Sequence, residues 1–491
     1  MPDKPSSESP ESHVIDNYQL KVNNVLIDIV IVEEEEDVVP RYTVNISNMS
    51  PTTKLMLEKI REEFISQVGI GLVELSEEGG IESIKTEFKK EIVTLLKKYF
   101  PNLDEKTKDM LINYVIEQNL GLGHIEILLK DTNIEEIVVN NAREPVWVYH
   151  KKHARLKTNV LIPKEERIRH YSTMIGRDVG KEITTLAPLM DAHLLTGDRV
   201  NATLYPISSK GHTITIRKFA AEPWTVTDFL KMKTLDEYTA ALMWLCMQHE
   251  LSVLISGGTG SGKTSLLNVV SAFLPSNQRI VSIEDTRELQ FPTTLHWVPL
   301  ETRLPNPEGK GGVTMLDLVV NSLRMRPDRI IMGEVRREKE AEVLFEAMHT
   351  GHSVYGTFHA NDADETVTRL TNPPINVPKL VMPSLNAIIV MNRNRRTNRR
   401  RVFQFAEILP NGDINVVLQY NPIKDQVEKV SDFKSLDKRL KLFSGMSMAD
   451  IDKDLQGKIK ILQWMVKNNV RDINSIGILM AKYYKGKLVI K

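Results

Sequence analysis

The chain has 491 residues, with 64 Lys plus Arg against 64 Asp plus Glu, so its formal net charge is zero. That balance excludes a protein built as a whole to coat nucleic acid or anionic lipid; any such contact must be local. Apolar residues at 41% and charged residues at 26% exclude a disordered chain, and at about 150 residues per domain the length allows roughly three domains. A single cysteine, Cys246, rules out an internal disulfide and any Cys-rich zinc module. It lies in the apolar run Ala241–Met247 and reads as a buried core residue rather than a reactive thiol. No stretch approaches ~20 consecutive apolar residues, and MPDKPSSESPES lacks the apolar segment of a secretory signal. The expectation is a soluble intracellular protein.

Residues 1–18 are rich in Ser, Pro and acidic side chains and read as a mobile tail. The acidic run Glu33–Asp37 follows the strand-like VLIDIVIV and reads as a solvated turn or strand end. Amphipathic helices come next. Leu57, Ile60 and Phe64 share one face of a helix opening near Pro51. Ile84, Phe88, Ile92, Leu95 and Tyr99 form a longer stripe closed by Pro101, and Met110, Ile112 and Val115 a third. Strand-like runs at Glu136–Asn140, Val146–Tyr149 and Thr213–Arg217 complete an α+β region. The segment Ala221–Thr227, with Pro223, reads as a linker. From about Leu235, helices alternate with the short apolar runs Ser252–Ser256, Ile280–Ile283, Arg329–Met332 and Val354–Phe358. Such runs suit a mostly parallel sheet covered on both faces. Beyond Pro410, two strand-like stretches lead to helices around Gly457–Lys467 and Ile473–Tyr484. No internal repeat is visible.

The chemistry is carried by GGTGSGKT, which fits the full phosphate-loop pattern G-x-x-x-x-G-K-S/T. Its residues Gly257, Gly258, Thr259, Gly260, Ser261 and Gly262 let backbone N–H groups wrap phosphate oxygens. The helix that begins at Lys263, Thr264 and Ser265 points its positive end at the same charge. Lys263 supplies a point charge to the β- and γ-phosphates, and Thr264 a hydroxyl to Mg²⁺. Nucleotide binding follows; hydrolysis needs more. Glu334 lies just past the apolar run Ile330–Met332, and Glu284 and Asp285 just past Ile280–Ile283. In open parallel sheets ligands sit at the carboxyl ends of strands, so these acids point toward the loop. Each, taken alone, also reads as a helix cap. His349, His352 and His359 in AMHTGHSVYGTFHAND allow three readings: a γ-phosphate sensor, structural histidines, or a metal site whose spacing is incomplete.

GGTGSGKT, SIEDTREL, LRMRPDRIIMGEVR and TGHSVYGTFHAND, in that order and spacing, resemble the Walker A, Asp box, Walker B and His box of the secretion-superfamily ATPases. That family drives type II secretion, type IV pilus assembly and retraction, archaellum assembly and rotation, and type IV secretion. GLGHIEILLKDTNIEEIVVNN, DAHLLTGDRVNATL and ITIRKF resemble its N-terminal domain, so the likeness covers about residues 115–410. The resemblance implies an Mg²⁺-dependent ATPase that releases ADP and phosphate. In it Glu284 is the base or water-positioning group and Glu334 the Walker B carboxylate that faces the metal. His352 and His359 match the His-box pair, which leaves His349 incidental. Arg199 in GDRV and Arg217 in TIRKF match positions from which family members supply arginine fingers; each also reads as a surface or intrachain ion pair.

With only Cys246, the chain lacks the four-Cys zinc module of many bacterial members. That favours an archaeal-type, retraction-type or type IV secretion-type member, and among these the N-terminal extension and C-terminal helices point to the archaeal type. The Gly-rich loop Pro305–Val313 is similar to one in archaeal members, where it would close over nucleotide, and reads more plainly as a mobile surface loop. The cluster RNRRTNRRR, Arg393–Arg401, holds six Arg in nine residues between two strand-like runs, as a hairpin loop would. It reads as a solvated loop, a contact for anionic lipid or an acidic partner, or a nucleic-acid surface. No interleaved aromatics for base stacking accompany it, which argues against nucleic acid.

The expected architecture is α/β: a RecA-like P-loop ATPase domain with a mostly parallel sheet, preceded by a smaller α+β N-terminal domain. The expected segments are 1–50 as an extension, 51–220 as the N-terminal domain, 221–234 as a linker, 235–420 as the ATPase domain and 421–491 as its helical end. The expected protein is a homo-oligomer, a hexameric motor at the cytoplasmic face of the membrane, using ATP and Mg²⁺ against a polytopic membrane platform protein. Peripheral contact with the membrane itself stays open. Rival readings are a hexameric nucleic-acid-translocating ATPase and a small-molecule P-loop kinase.

Overall fold

Alternating apolar residues along Val25–Ile31 place one face of the first strands in a core. The computed structural model of the chain describes residues 12–488, except 23–24, 35–36, 47–51, 54, 58, 61–62, 64–80, 121, 195, 220–221, 304 and 306–308. The chain divides into two units between Ala221 and Glu222.

In the first unit, β1 (Ser12–Val22) and β2 (Val25–Glu34) form an antiparallel hairpin. Next to it lies β3 (Arg41–Ile46), then β6 (Ala154–Thr158), β5 (Trp147–His150) and β4 (Ile134–Val139). A nine-stranded sheet is completed by β9 (Thr213–Arg217), β8 (Arg199–Thr203) and β7 (Leu189–His193). Only the β3–β6 pair is parallel among these strands. Helices α1 (Ile81–Tyr99), α2 (Glu105–Leu120), α3 (His124–Lys130) and α4 (Glu165–Asp178) contribute Ile92, Leu95, Val115, Leu128 and Ile168 to its core.

The start of the chain corrects one expectation. Residues 12–18 belong to a strand rather than a tail; residues 1–11 lie outside the described set. The Ser/Pro bias ends near Ser12, and the hydroxyls of Tyr18 and Tyr42 both donate to the buried Asp131, at 2.5 and 2.6 Å. Those bonds tie the first hairpin to the rest of the sheet. In the acidic run, Glu34 and Asp37 pair with Arg41 at 3.2 and 2.7 Å. Leu57 and Ile60 are buried as their stripe requires. Pro51, Phe64 and the side chains of Ile84, Phe88 and Met110 lie outside the described set.

The second unit holds another nine-stranded sheet. Its strands are β10 (Val253–Gly257), β11 (Arg279–Glu284), β12 (His296–Glu301), β13 (Arg329–Met332), β14 (Ser353–Phe358), β15 (Ala387–Arg393), β16 (Arg400–Ile408), β17 (Ile414–Asn421) and β18 (Gln426–Lys429). They lie in the order β12-β11-β13-β14-β10-β15-β16-β17-β18. The first six run parallel and the last three continue antiparallel. Strand β14 separates β10 from β13, the RecA-like arrangement. Val253 and Ile255 enter the core on one face and Leu254 that on the other. Cover on both faces is why β10, β13 and β14 read as unbroken apolar runs.

Two segment expectations change here. The stretch read as a linker contains α5 (Val226–Lys231), whose Val226, Phe229 and Leu230 are buried. Asp228 receives the Arg471 guanidinium at 2.6 Å, and Thr227 donates to the carbonyl of Val470 at 2.5 Å, so this helix is part of the second unit's core. The sheet also runs on to Lys429: β17 and β18 pair as the two strands expected beyond Pro410, so the helical end begins after 429 rather than at 421.

Helix α6 (Glu237–Gln248) is buried all round from Thr239 to Met247, and burial pushes the Cys246 thiol up to about 12. Helices α8 (Met315–Leu323), α9 (Glu338–His349) and α10 (Ala363–Thr371) connect the later parallel strands, and α11 (Leu436–Ser444), α12 (Met448–Lys467) and α13 (Ile473–Tyr484) close the chain. Trp244 stacks on Phe273 at 5.1 Å and donates to the Tyr484 hydroxyl at 2.9 Å, so the C-terminal helices complete the core around α6. Among the described residues, no helix is long and apolar enough to cross a membrane.

Candidate active site

Strand β10 ends in Gly257 at φ 155°, and helix α7 (Lys263–Ser271) begins after Gly262 at φ 96°. A Cβ at Gly257 would lie 2.5 Å from both the Met391 carbonyl oxygen and Ser261 Oγ. Only glycine fits that turn. Gly262 has no side chain with which to cap α7, so the first N–H groups of the helix stay available to an anion. The loop folds back on itself through Lys263, whose Nζ donates to the Gly258 carbonyl at 3.1 Å.

The parallel strands deliver the remaining groups to the same edge. His359 follows β14, Glu334 lies just past β13, and Glu284 closes β11 with Asp285 just past it. The side chains make a chain of contacts. Lys263 Nζ lies 3.4 Å from His359 Nδ1, and His359 Nε2 lies 3.0 Å from Glu334 Oε1. Arg336 then donates to Glu334 Oε2 and Asp285 Oδ2, each at 2.7 Å.

Burial lowers the Lys263 ammonium from its usual range, and Glu334 works against that. His359 is also lowered, first by burial and then by the Lys263 charge. A neutral imidazole is thereby favoured, with Nε2–H donated to Glu334 and the Nδ1 lone pair facing Lys263. The Glu334 carboxylate raises Arg336 further.

Glu284 is 2% exposed, and burial raises it to about 7. Its Oε1 accepts the backbone N–H groups of Glu288 and Leu289 at 2.8 and 3.0 Å. Its Oε2 is buried without a partner among the described residues. A buried, half-satisfied carboxylate at the end of β11, separated from β10 by two strands but at the same carboxyl edge of the sheet, has the properties of a base.

Not every expected residue joins this cluster. His352 precedes β14, so six residues of strand, roughly 20 Å, separate it from His359. Its Nδ1 lies 3.3 Å from Thr350 Oγ1 and from the Ala347 carbonyl, at the sheet edge opposite the phosphate loop. The pairing of the two histidines in one site is therefore not made within this chain. His349 is exposed at the end of α9 (Glu338–His349). Arg199 and Arg217 belong to the first unit and are register partners on β8 and β9. Arg199 forms a two-toothed ion pair with Asp191, at 3.0 and 2.6 Å.

Two sets of residues escaped the sequence reading. Arg336 stood in the Walker B segment without an assigned role. The other set is the Arg393–Arg401 run, read as a hairpin. It is one, and Arg400 Nε donates to the Gly260 carbonyl at 3.0 Å. The clustered arginines between two strand-like runs were the only signal, and nothing in the sequence placed those strands next to β10.

The family model described as type II/IV secretion system protein matches residues 121–472. The chain belongs to that family. The uncharacterised protein MJ0900 of Methanocaldococcus jannaschii is 33% identical to this family member over 387 residues, 76% of this chain and 70% of its own. Relatives in that organism fit the archaeal-type reading. The type IV secretion system protein PtlH of Bordetella pertussis is 28% identical over 314 residues, 57% of this chain and 92% of its own. The X-ray structure of the Legionella pneumophila ATPase DotB aligns at a TM-score of 0.44 and 19% identity, over 74% of this secretion-family chain and 92% of DotB.

Proposed function

We propose that this secretion-family protein hydrolyses ATP to ADP and phosphate with Mg²⁺, and works as a hexameric motor for a filament or secretion machine. The observation that carries the reading is the continuous contact from Lys263 through His359 to Glu334 beside the phosphate loop. Lys263 and the α7 N-terminus hold the phosphates. Thr264 and Glu334 would hold Mg²⁺, since a hydroxyl and a carboxylate are the oxygen donors that a hard cation takes. The ion supplies neutralisation of the charge on the phosphoryl oxygens. Glu284, raised to about 7, takes the proton of the attacking water through its unpartnered oxygen. His359 reports on the γ-phosphate by linking Lys263 to Glu334. Arg199 and Arg217 act from a neighbouring subunit, which makes turnover depend on assembly. His352 lies apart from Lys263 in its own chain and serves the ring rather than the reacting atoms.

Family resemblance supports the rest of the reading: a cytoplasmic ring at the inner face of the membrane, engaging a polytopic platform protein. The rival of a nucleic-acid motor draws little from the arginine run, because its members do not form one patch: Arg401 and Arg399 face Asp425, Arg393 and Arg400 lie against the phosphate loop, and Arg395 and Arg396 remain at the exposed tip. Steady-state ATP hydrolysis by the purified chain, with and without DNA and with Lys263→Ala as blank, tests the proposal. The expected result is Mg²⁺-dependent turnover, indifferent to DNA, whose specific rate rises with protein concentration as rings form. Stimulation by DNA, or a rate equal to that of Lys263→Ala, overturns it.

A further inference from the structure

Strand β15 flanks β10 on the side away from β14, so the phosphate loop has two different walls. On the β14 side stand His359, Glu334 and Arg336. On the other side stand Arg393 and Arg400, opposite each other in the β15–β16 ladder. A Cβ at Gly260 would lie 2.8 Å from Arg393 Nη1, and one at Gly262 would lie 3.4 Å from Arg400 Cδ. Both side chains therefore lie directly against the loop.

The run does not act as one patch. Arg401 is committed to Asp425 at 2.7 and 3.0 Å, and Arg399 lies 3.9 Å from the same carboxylate. Arg395 and Arg396 are exposed at the hairpin tip. Arg400 is different: among the described residues no carboxylate lies within 4.0 Å of it, and its one bond goes to the neutral Gly260 carbonyl. A guanidinium offers five N–H donors in a fixed fork and keeps its charge, so that single bond leaves most of its capacity unused.

We propose that Arg400, with Arg393 beside it, binds the nucleoside-side phosphate of a nucleoside di- or triphosphate. This rests on the nucleotide reading above. The acids and His359 mark the flank where the γ-phosphate and Mg²⁺ belong. A diphosphate lying across the α7 N-terminus from that flank brings its other end, with the nucleoside, to the β15 flank. Arg400 meets it there while its Nε anchors the loop. Such a contact is equal in ground state and transition state, so its loss raises KM and spares kcat.

The test is calorimetric titration of the full-length chain with Mg²⁺–ADP, alongside steady-state ATP hydrolysis. Arg400→Gln keeps a donor for the Gly260 carbonyl but loses the charge; we expect ADP binding weaker by about tenfold, a similar rise in KM, and kcat within about twofold. Arg400→Lys keeps the charge and loses the fork, and holds ADP within roughly threefold of the unaltered chain. Arg396→Gln, at the tip, leaves ADP affinity unchanged. If Arg400→Gln binds ADP as the unaltered chain does, or if Gln and Lys bind alike, Arg400 is a neutral brace and the proposal falls. If Arg400→Gln does not fold, an Arg400→Lys chain that folds but binds ADP as poorly as Lys263→Ala also overturns it. Loss of ADP binding in Lys263→Ala with no change in Arg400→Gln removes this proposal alone. An unaltered chain that binds no ADP removes the nucleotide reading and this proposal with it.

Discussion

His359 Nε2 lies 3.0 Å from Glu334 Oε1, which joins the end of β14 to the end of β13 across the edge where the phosphate loop sits. The other ring nitrogen faces Lys263 at 3.4 Å, so one neutral imidazole links the lysine of the phosphate loop to the carboxylate proposed to hold Mg²⁺. Replacing it breaks a relay rather than a binding contact. We predict that His359→Ala lowers kcat by about a hundredfold and leaves ADP affinity nearly unchanged. Titration calorimetry beside steady-state kinetics checks this; an equal loss of ADP affinity would mean that His359 holds the ground state.

Arg336 spans Glu334 and Asp285, 2.7 Å from each, and keeps two like charges together at the strand ends. In Arg336→Lys the point charge cannot reach both carboxylates in the same fork. Turnover should fall about tenfold or more, with nucleotide binding retained. Because Glu334 then loses its competing partner, the Mg²⁺ concentration for half-maximal rate should fall as well. A Mg²⁺ titration of ATP hydrolysis decides the point: a half-maximal concentration that rises would place Arg336 in metal binding instead.

Glu284, raised to about 7 by burial, predicts both a rate profile and a stability profile. As a base it must be ionised, so kcat/KM should climb as pH rises through about 7, and Glu284→Gln should abolish turnover while still binding ATP. For stability the sign runs the other way. The folded chain holds this proton more tightly than the unfolded chain, so the group's contribution is full below the ordinary Glu range and is lost as pH rises to about 7. Between pH 5 and 8 the stability difference between Glu284→Gln and the unaltered chain should therefore shift toward the Gln variant by roughly 2–3 kcal/mol. Urea unfolding at the two pH values measures it.

Lys458 is fully buried, 2.5 Å from Asp454 and 2.8 Å from the Tyr483 hydroxyl, with the Trp244 ring 5.3 Å away. Burial lowers its ammonium, and Asp454 opposes that. Removing one partner leaves the other charge unpaired, so Lys458→Ala should cost about 3 kcal/mol or more. The double change Lys458→Met with Asp454→Leu should cost less than that single change, because no unpaired charge remains. Denaturant midpoints of the three chains are the measurement; a double variant worse than Lys458→Ala would show that the pair adds net stability.

The sequence by itself determined what is local. Gly257 to Thr264 prescribe a loop because glycines alone take its backbone angles, and Lys263 must then start a helix. Glu334, Glu284 and His359 were legible because each ends an apolar run, and carboxyl ends of parallel strands share one edge. Cys246 in an apolar helix was legible for the same reason, since its surroundings are its own neighbours in the chain. Tertiary structure decided whatever depends on strand order, register or a distant partner. His352 and His359 look like a pair in the sequence, yet the strand between them carries them to opposite edges. The segment 221–234 reads as a linker until Asp228 meets Arg471, 243 residues away. Arg336 finds Asp285 at a separation of 51, and Arg400 finds Gly260 at 140. No local window contains those pairs. They form because β13 lies beside β11 and β15 beside β10, and that order is chosen by burial on both faces of the sheet rather than by any one segment's preference.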